Sequence, residues 1–162
     1  MSINRVIINS SPLIVLFKSQ QAELLSQMFA EILVPAAVWD EITATGANDT
    51  ASQQLPNVSW AQRIEVETIA PEIAAWDLGK GESAVLTLAL KTPDCAAIVD
   101  DRAARRCSQT LGITTIGTGG LLILAKRRGI IPSISPGIQA LRDAGLWLSD
   151  TVVNLLKQQV GE

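Results

Sequence analysis

The chain has 162 residues, 48% of them apolar types and 18% charged, which is enough for one domain with its own core and too apolar for a disordered tail. Lys and Arg number 13 against 16 Asp and Glu, a net charge of −3, so nucleic-acid binding through bulk positive charge is excluded and any such role must rest on a local patch. There is no His, which removes His-based acid–base chemistry, Ser-His-Asp and Cys-His pairs, and His-ligated zinc.

Residues 5–9 (RVIIN) are a β-branched run, expected as a buried strand. Ser11-Pro12 predicts a helix start with Ser as N-cap and Pro in the first turn; the helical stretch covers 13–17 and restarts near Gln21. Residues 31–34 (EILV) read as a second strand. Pro35 then opens a helix through Ala44, with Gly46 as its stop. Residues 47–62 are polar and carry no clear period. Residues 63–69 (RIEVETI) alternate and predict a third, more exposed strand. A short helix is expected over 70–77. Gly79 and Gly81 bracket a turn, and 82–91 is a helix ended by Pro93. Residues 96–99 (AAIV) are a fourth buried strand, 101–111 a helix stopped by Gly112, and 113–116 (ITTI) a fifth strand. Gly117-Thr118-Gly119-Gly120 turns into a helix reaching Arg128 and stopped by Gly129. Two helices close the chain, at 136–144 and 149–159, the second with Ser149 as N-cap. Trp147 and the stripe Val152, Leu155, Leu156 are expected to pack them on the core.

Strands thus alternate with helices five times. That rhythm predicts an α/β fold of three α/β/α layers, with a parallel sheet of about five strands. One domain over 1–162 is expected. Cys95 and Cys107 fit no C-x-x-C spacing and read as reduced thiols of a cytoplasmic protein. No leader and no membrane span is expected: the longest uncharged stretch, 107–125, is broken by glycines and Thr.

In open α/β sheets, sites form beyond the carboxyl ends of the strands. The first strand ends in Asn9-Ser10-Ser11, the fourth in Asp100-Asp101, the fifth in the glycine turn. The plain reading of Asp100-Asp101 is an N-cap for the next helix. One Asp serves that purpose, and the second has no structural reason in the sequence. Glu41 flanks the apolar face marked by Val38 and Ile42. Glu82 begins the helix whose buried stripe is Val85, Leu86 and Ala89, and it lies on the inward side; its plain reading is a first-turn Glu favoured by the helix dipole. Together Asn9, Glu41, Glu82, Asp100 and Asp101 describe an oxygen-rich cluster. Two carboxylates 5 Å apart repel by about 3 kcal/mol at an effective dielectric near 20, so such a cluster calls for a cation. Hard oxygen ligands suit Mg²⁺ or Mn²⁺, which polarise a phosphodiester and activate water. An acid pair after strand four also rules out a phosphoacceptor receiver, which needs its acids after strand one.

At these residues the chain resembles the PIN-domain superfamily, the VapC-like toxin ribonucleases, and within it a bacterial PIN-like branch. The stretches that carry the resemblance are VIINSSPLIVLF (6–17), LVPAAVWDEI (33–42), LGKGESAVLTLAL (78–90), AIVDDRAARR (97–106) and GITTIGTGGLLILAKRRGIIPSI (112–134). The resemblance implies strand order 3-2-1-4-5, with strands one and four side by side. It implies a Mg- or Mn-dependent ribonuclease holding one or two ions. Its acids fall on Asn9, Glu41, Glu82 and the Asp100-Asp101 pair. Asn9 departs from the family, which has Asp there; its amide oxygen is still a ligand but carries no charge. Thr118 matches a hydroxyl that the family often places near the site, and an N-cap explains it equally well. A cognate antitoxin and a homodimer are further implications of the resemblance.

Charge along the chain favours a local RNA surface. Residues 1–79 carry three cations and nine acids, whereas residues 80–128 carry eight cations and four acids. Arg102, Arg105 and Arg106 follow the acid pair on one helix and are expected, with Ser10 and Thr118, to meet substrate phosphates. Lys126, Arg127 and Arg128 belong to the same basic segment. A solvated helix face is the plain alternative. Trp39, Trp60, Trp76 and Trp147 read as core or interface residues, since a chain with no Tyr and two Phe is poorly supplied for base stacking.

Overall fold

The structure, a computed structural model, describes residues 3–44 and 48–162. Gly46, the expected helix stop, lies outside the described residues. The first β-branched run forms β1 (Arg5–Ile8). Val6, Ile7 and Ile8 are all fully buried. Successive strand side chains point to opposite faces, so three buried in a row means that both faces of the sheet are covered. Then come α1 (Ser10–Lys18), α2 (Glu23–Met28), β2 (Glu31–Pro35), α3 (Ala36–Ile42), α4 (Thr50–Gln54) with a 3-10 turn behind it (Leu55–Asn57), and β3 (Ala61–Ile64). The second half runs α5 (Pro71–Ala74), α6 (Lys80–Lys91), β4 (Ala96–Ile98), α7 (Arg102–Leu111), β5 (Thr115–Ile116), α8 (Thr118–Arg127), α9 (Ser135–Asp143) and α10 (Asp150–Gln159). None of the described helices is long and apolar enough to cross a membrane.

The five strands form one parallel sheet in the order β3-β2-β1-β4-β5, the α/β/α arrangement expected. Ile7 pairs with Ala97 and Ile8 with Ile98. The chain steps one way from β1 through β2 to β3 and the other way from β4 to β5, so the topological switch lies between β1 and β4. That is where open α/β sheets open a crevice beyond their carboxyl ends. The residues leaving those two strands are Asn9 and, opposite, Val99-Asp100. α6 packs across β2, β1 and β4, with α3 and α7 beside it.

Four local expectations are corrected. Asn9, not Ser11, is the N-cap residue of α1, and Pro12 sits in its first turn, where a missing N–H costs no helical hydrogen bond. β3 occupies residues 61–64, earlier than the alternating run at 63–69, because it pairs with Ile32–Pro35 on one side only and its extent follows that partner. α6 starts at Lys80, so Gly81 is helical and not part of a turn. On α10 the inward residues are Val153 and Leu156, while Val152 and Leu155 (54% exposed) face outward, as does Trp147 (83% exposed) in the segment before the helix. The doublets Val152-Val153 and Leu155-Leu156 offer two adjacent stripes of equal hydrophobicity, and the contact of Leu156 with Gly119 selects one. Other local signals hold: Gly112 ends α7 in the left-handed region, φ +73°, and Ser149 caps α10 by accepting from Val152 N at 3.1 Å.

Candidate functional site

Asn9 extends the β1–β4 ladder by one residue, its N–H donating to Ile98 O at 3.1 Å. Its side chain is 2% exposed. Nδ2 donates to Glu82 Oε1 at 3.3 Å, and an acceptor-only carboxylate fixes which way the amide points. Oδ1 is thereby aimed the other way, where it is buried and has no partner among the described residues. A Cβ on Gly81 would stand 3.2 Å from this oxygen and 3.3 Å from Glu41 Oε2, with Val38 closing the third side at 3.4 Å. A helical Gly costs about 1 kcal/mol against Ala, and here it keeps open a space bounded by two oxygen ligands.

Glu41 reaches this space from α3 and is exposed; Glu82 comes from the first turn of α6, half-buried, and folds back over Gly79, where a Cβ would collide with its carboxylate. Together with Asp40, Lys80 and the two glycines they line an open cleft of about 490 Å³.

The two aspartates part as they leave β4. Asp101 is the N-cap of α7, accepting from Ala104 N at 2.9 Å. Asp100 turns to the start of α8: its Oδ1 accepts from Thr118 N at 2.8 Å, and its Oδ2 from Thr118 Oγ1. The second Asp therefore does have a structural partner, 18 residues further along the chain and invisible to local reading. Over Gly117, Asp100 Oδ1 and Arg105 Nη1 flank one point, 3.2 and 2.9 Å from where a Cβ would stand.

Among the described residues no three acidic or Cys side chains converge as a ready metal cluster, because Glu82 leans over Gly79 and Asp100 over Thr118. What does converge is Asn9 Oδ1 with Glu41, beside Glu82. A buried acceptor with no donor costs about 1–3 kcal/mol. A carbonyl oxygen flanked by carboxylates suits a small hard cation, so the residues present fit Mg²⁺ or Mn²⁺. Cys95 and Cys107 are free thiols whose ionisation burial pushes up, which makes them poor ligands.

The expected substrate surface divides. Arg102, Arg105 and Arg106 are exposed on α7 and form no ion pair among the described residues. Ser10 and Thr118 are buried, so Thr118 positions Asp100 and offers no outward hydroxyl. Lys126 and Arg128, at the end of the basic segment, serve the fold. Arg128 donates to Met28 O and Ile3 O, both at 2.6 Å, and lies over the Phe29 ring. Lys126 donates to Val160 O and to the Glu162 carboxylate. That carboxylate also accepts from Ser133 Oγ, Ser135 Oγ, Ile134 N and Ser135 N, and these donors hold its pKa well below the usual range. Gly81 is the site residue the sequence reading missed; its signal was a Gly directly before Glu82 on the face that carries the buried stripe.

No curated protein matches the chain. A family model, DUF3368, described as a PIN domain, matches residues 5–162. PIN domains have a nuclease-type fold and generally depend on a divalent metal. With nearly the whole chain matched and the strand order in place, the chain belongs to the DUF3368 family of PIN domains.

Proposed function

We propose that this chain is a metal-dependent endoribonuclease of toxin type, hydrolysing RNA phosphodiester bonds at the carboxyl edge between β1 and β4. The observation that carries the reading is the buried, unpartnered Oδ1 of Asn9 beside Glu41. Glu41, Glu82 and Asp100 would hold one or two ions with Asn9 as a neutral ligand, and Asp101 would stand at the rim. The bound ion supplies Lewis-acid polarisation of the phosphate and a more acidic water. Glu82 orients Asn9, and Thr118 orients Asp100. Arg102, Arg105 and Arg106 bind and align the RNA backbone beside the acids. A cytoplasmic setting, a cognate antitoxin over the acidic edge and a homodimer complete the reading, and the exposed Trp147, Val152 and Leu155 support a protein interface.

A second reading has specific support. Asn9 lacks the charge of an Asp, and both aspartates already hold helix N-termini. A PIN-like module with weakened catalysis that binds RNA or a protein partner follows from the same contacts.

Thermal unfolding in Mn²⁺ or Mg²⁺ against EDTA separates the two. An ion at a hundredfold excess over Kd stabilises the fold by about 2.7 kcal/mol, a rise of roughly 5–10 °C for a chain of this size. The nuclease reading expects that rise, its loss in Asp100→Ala, and its survival in Asp101→Ala on a baseline lowered by loss of the α7 cap. RNA cleavage retained in the Asp100→Ala, Asp101→Ala double variant would overturn the assignment. No rise at millimolar metal selects the second reading.

A further inference from the structure

The cleft beside Asn9 contains a cation with no partner among the described residues. Lys80 is the first residue of α6, is exposed, and lines the same opening as Glu41, Glu82, Gly79 and Gly81. A cation in the first turn of a helix opposes the helix dipole. Among the described residues Lys80 has no hydrogen bond or ion pair to offset that cost. α10 opens on Asp150, as the dipole favours, whereas α7, like α6, opens on a cation, Arg102, behind its Asp101 cap. A residue that breaks a local rule without a structural return points to function.

Its placement indicates which function. Lys80 stands between Gly79, over which the Glu82 carboxylate folds, and the buried Gly81, which faces the Asn9 Oδ1 that has no partner among the described residues. Across the switch point, Arg105 lies over Gly117 beside Asp100. Among the described residues the acids thus have an unpaired lysine on the α6 side and an arginine on the α7 side.

Resting on the nuclease-type reading of this edge, we infer that Lys80 is a substrate-binding residue that takes a backbone phosphate of single-stranded RNA. The strand then crosses the carboxyl edge from Lys80, over the acids, to Arg105, so that phosphates on either side of the reacting bond are held from opposite helices. The guanidinium side belongs to the Arg-rich helix already described; the ammonium side is new, and it fixes the direction in which the strand crosses the sheet.

The test measures binding and stability of the full chain, with no requirement for turnover. A labelled single-stranded RNA of mixed sequence is titrated in Ca²⁺, across a range of salt, against wild type, Lys80→Ala and Arg105→Ala. The inference expects Lys80→Ala to bind about tenfold more weakly at low salt, the loss of one charge-assisted contact. Its slope of log affinity on log salt should fall by about 0.7, one single-strand phosphate. Its melting temperature should stay the same or rise, because the unfavourable dipole contact is gone. If Arg105→Ala weakens binding and Lys80→Ala does not, the inference fails while the nucleic-acid reading stands. If neither variant weakens binding, or wild type binds no RNA, both fail. A lower melting temperature with unchanged binding would make Lys80 a counter-charge for Glu41 and Glu82, and that too overturns it.

Discussion

Replacing Asn9 by Asp restores the charge that the family resemblance expects, and the structure sets the size of the response. In wild type Asn9 Nδ2 donates to Glu82 Oε1 at 3.3 Å. Asn9→Asp turns this hydrogen bond into a contact between two carboxylates. At that separation and an effective dielectric of ~20 the repulsion is about 5 kcal/mol. Glu82 is half-buried and can swing toward the cleft, so solvent screening and relaxation reduce the cost to about 2 kcal/mol. In EDTA at pH 7 the variant should therefore melt about 4–8 °C below wild type. The pH dependence has a definite sign. The introduced carboxyl has its folded pKa raised by Glu82, so the folded state binds the extra proton, and stability falls as pH rises. The deficit should be largest at neutral pH and shrink toward pH 4, where the proton is bound. Adding Mn²⁺ reverses the ranking, because the cation replaces the repulsion with attraction to both carboxylates; the variant should gain more than wild type. Differential scanning fluorimetry across pH, with and without Mn²⁺, reads all three effects. An Asn9→Asp protein as stable as wild type in EDTA, and no more responsive to Mn²⁺, would refute the placement of Asn9 in a cation site.

Two further outcomes follow from contacts described above. Gly81→Ala puts a Cβ 3.2 Å from Asn9 Oδ1 and 3.3 Å from Glu41 Oε2; the helix-propensity gain of about 1 kcal/mol should offset the crowding, leaving the EDTA melting point within a few degrees of wild type while the Mn²⁺-dependent rise disappears in the same scan. Glu162→Gln should lower the melting temperature at pH 7. The native carboxylate has its pKa depressed by Lys126, Ser133, Ser135 and Ile134, so its contribution is complete above the unfolded value near 4.5 and is lost progressively as pH falls from there through the depressed folded value; the gap between wild type and variant should narrow in acid, as paired melts at neutral pH and near pH 3 will measure.

How much of this was legible depends on the range of the interaction. Gly112 and Ser149 act within four residues of themselves, and the sequence pattern placed both; it assigned the α7 cap to the Asp100-Asp101 pair without choosing Asp101. The buried strands at 5–8 and 96–98 were equally plain, because β-branched or small apolar runs bounded by polar residues have few other homes. Tertiary partners were out of reach. The hydrogen bonds from Thr118 to Asp100, which give the second aspartate its structural role, span 18 positions. The unpartnered state of Asn9 Oδ1 depends on Glu82, 73 positions away. The stripe on α10 failed for another reason: two adjacent apolar doublets satisfy the same helical period, and only Gly119 distinguishes them. Lys126 and Arg128 show the limit of counting charge, since both lie in the basic segment yet are tied to backbone carbonyls.

The register of β1 against β4 also governs when the site comes into being. Ile8 and Ile98 are neighbours in the sheet and 90 positions apart in the chain, and the stretch between them holds β2, α3, β3 and the whole of α6. Closing so long a loop is entropically slow, and parallel pairings of this kind are made late in folding. During synthesis, Asn9, Glu41 and Glu82 all leave the ribosome before β4 exists to align them. Asp100 gains its fixed orientation only once Thr118 has followed. A growing chain shorter than about 118 residues therefore cannot assemble the acidic edge, and whatever chemistry that edge carries is withheld until most of the length has been made.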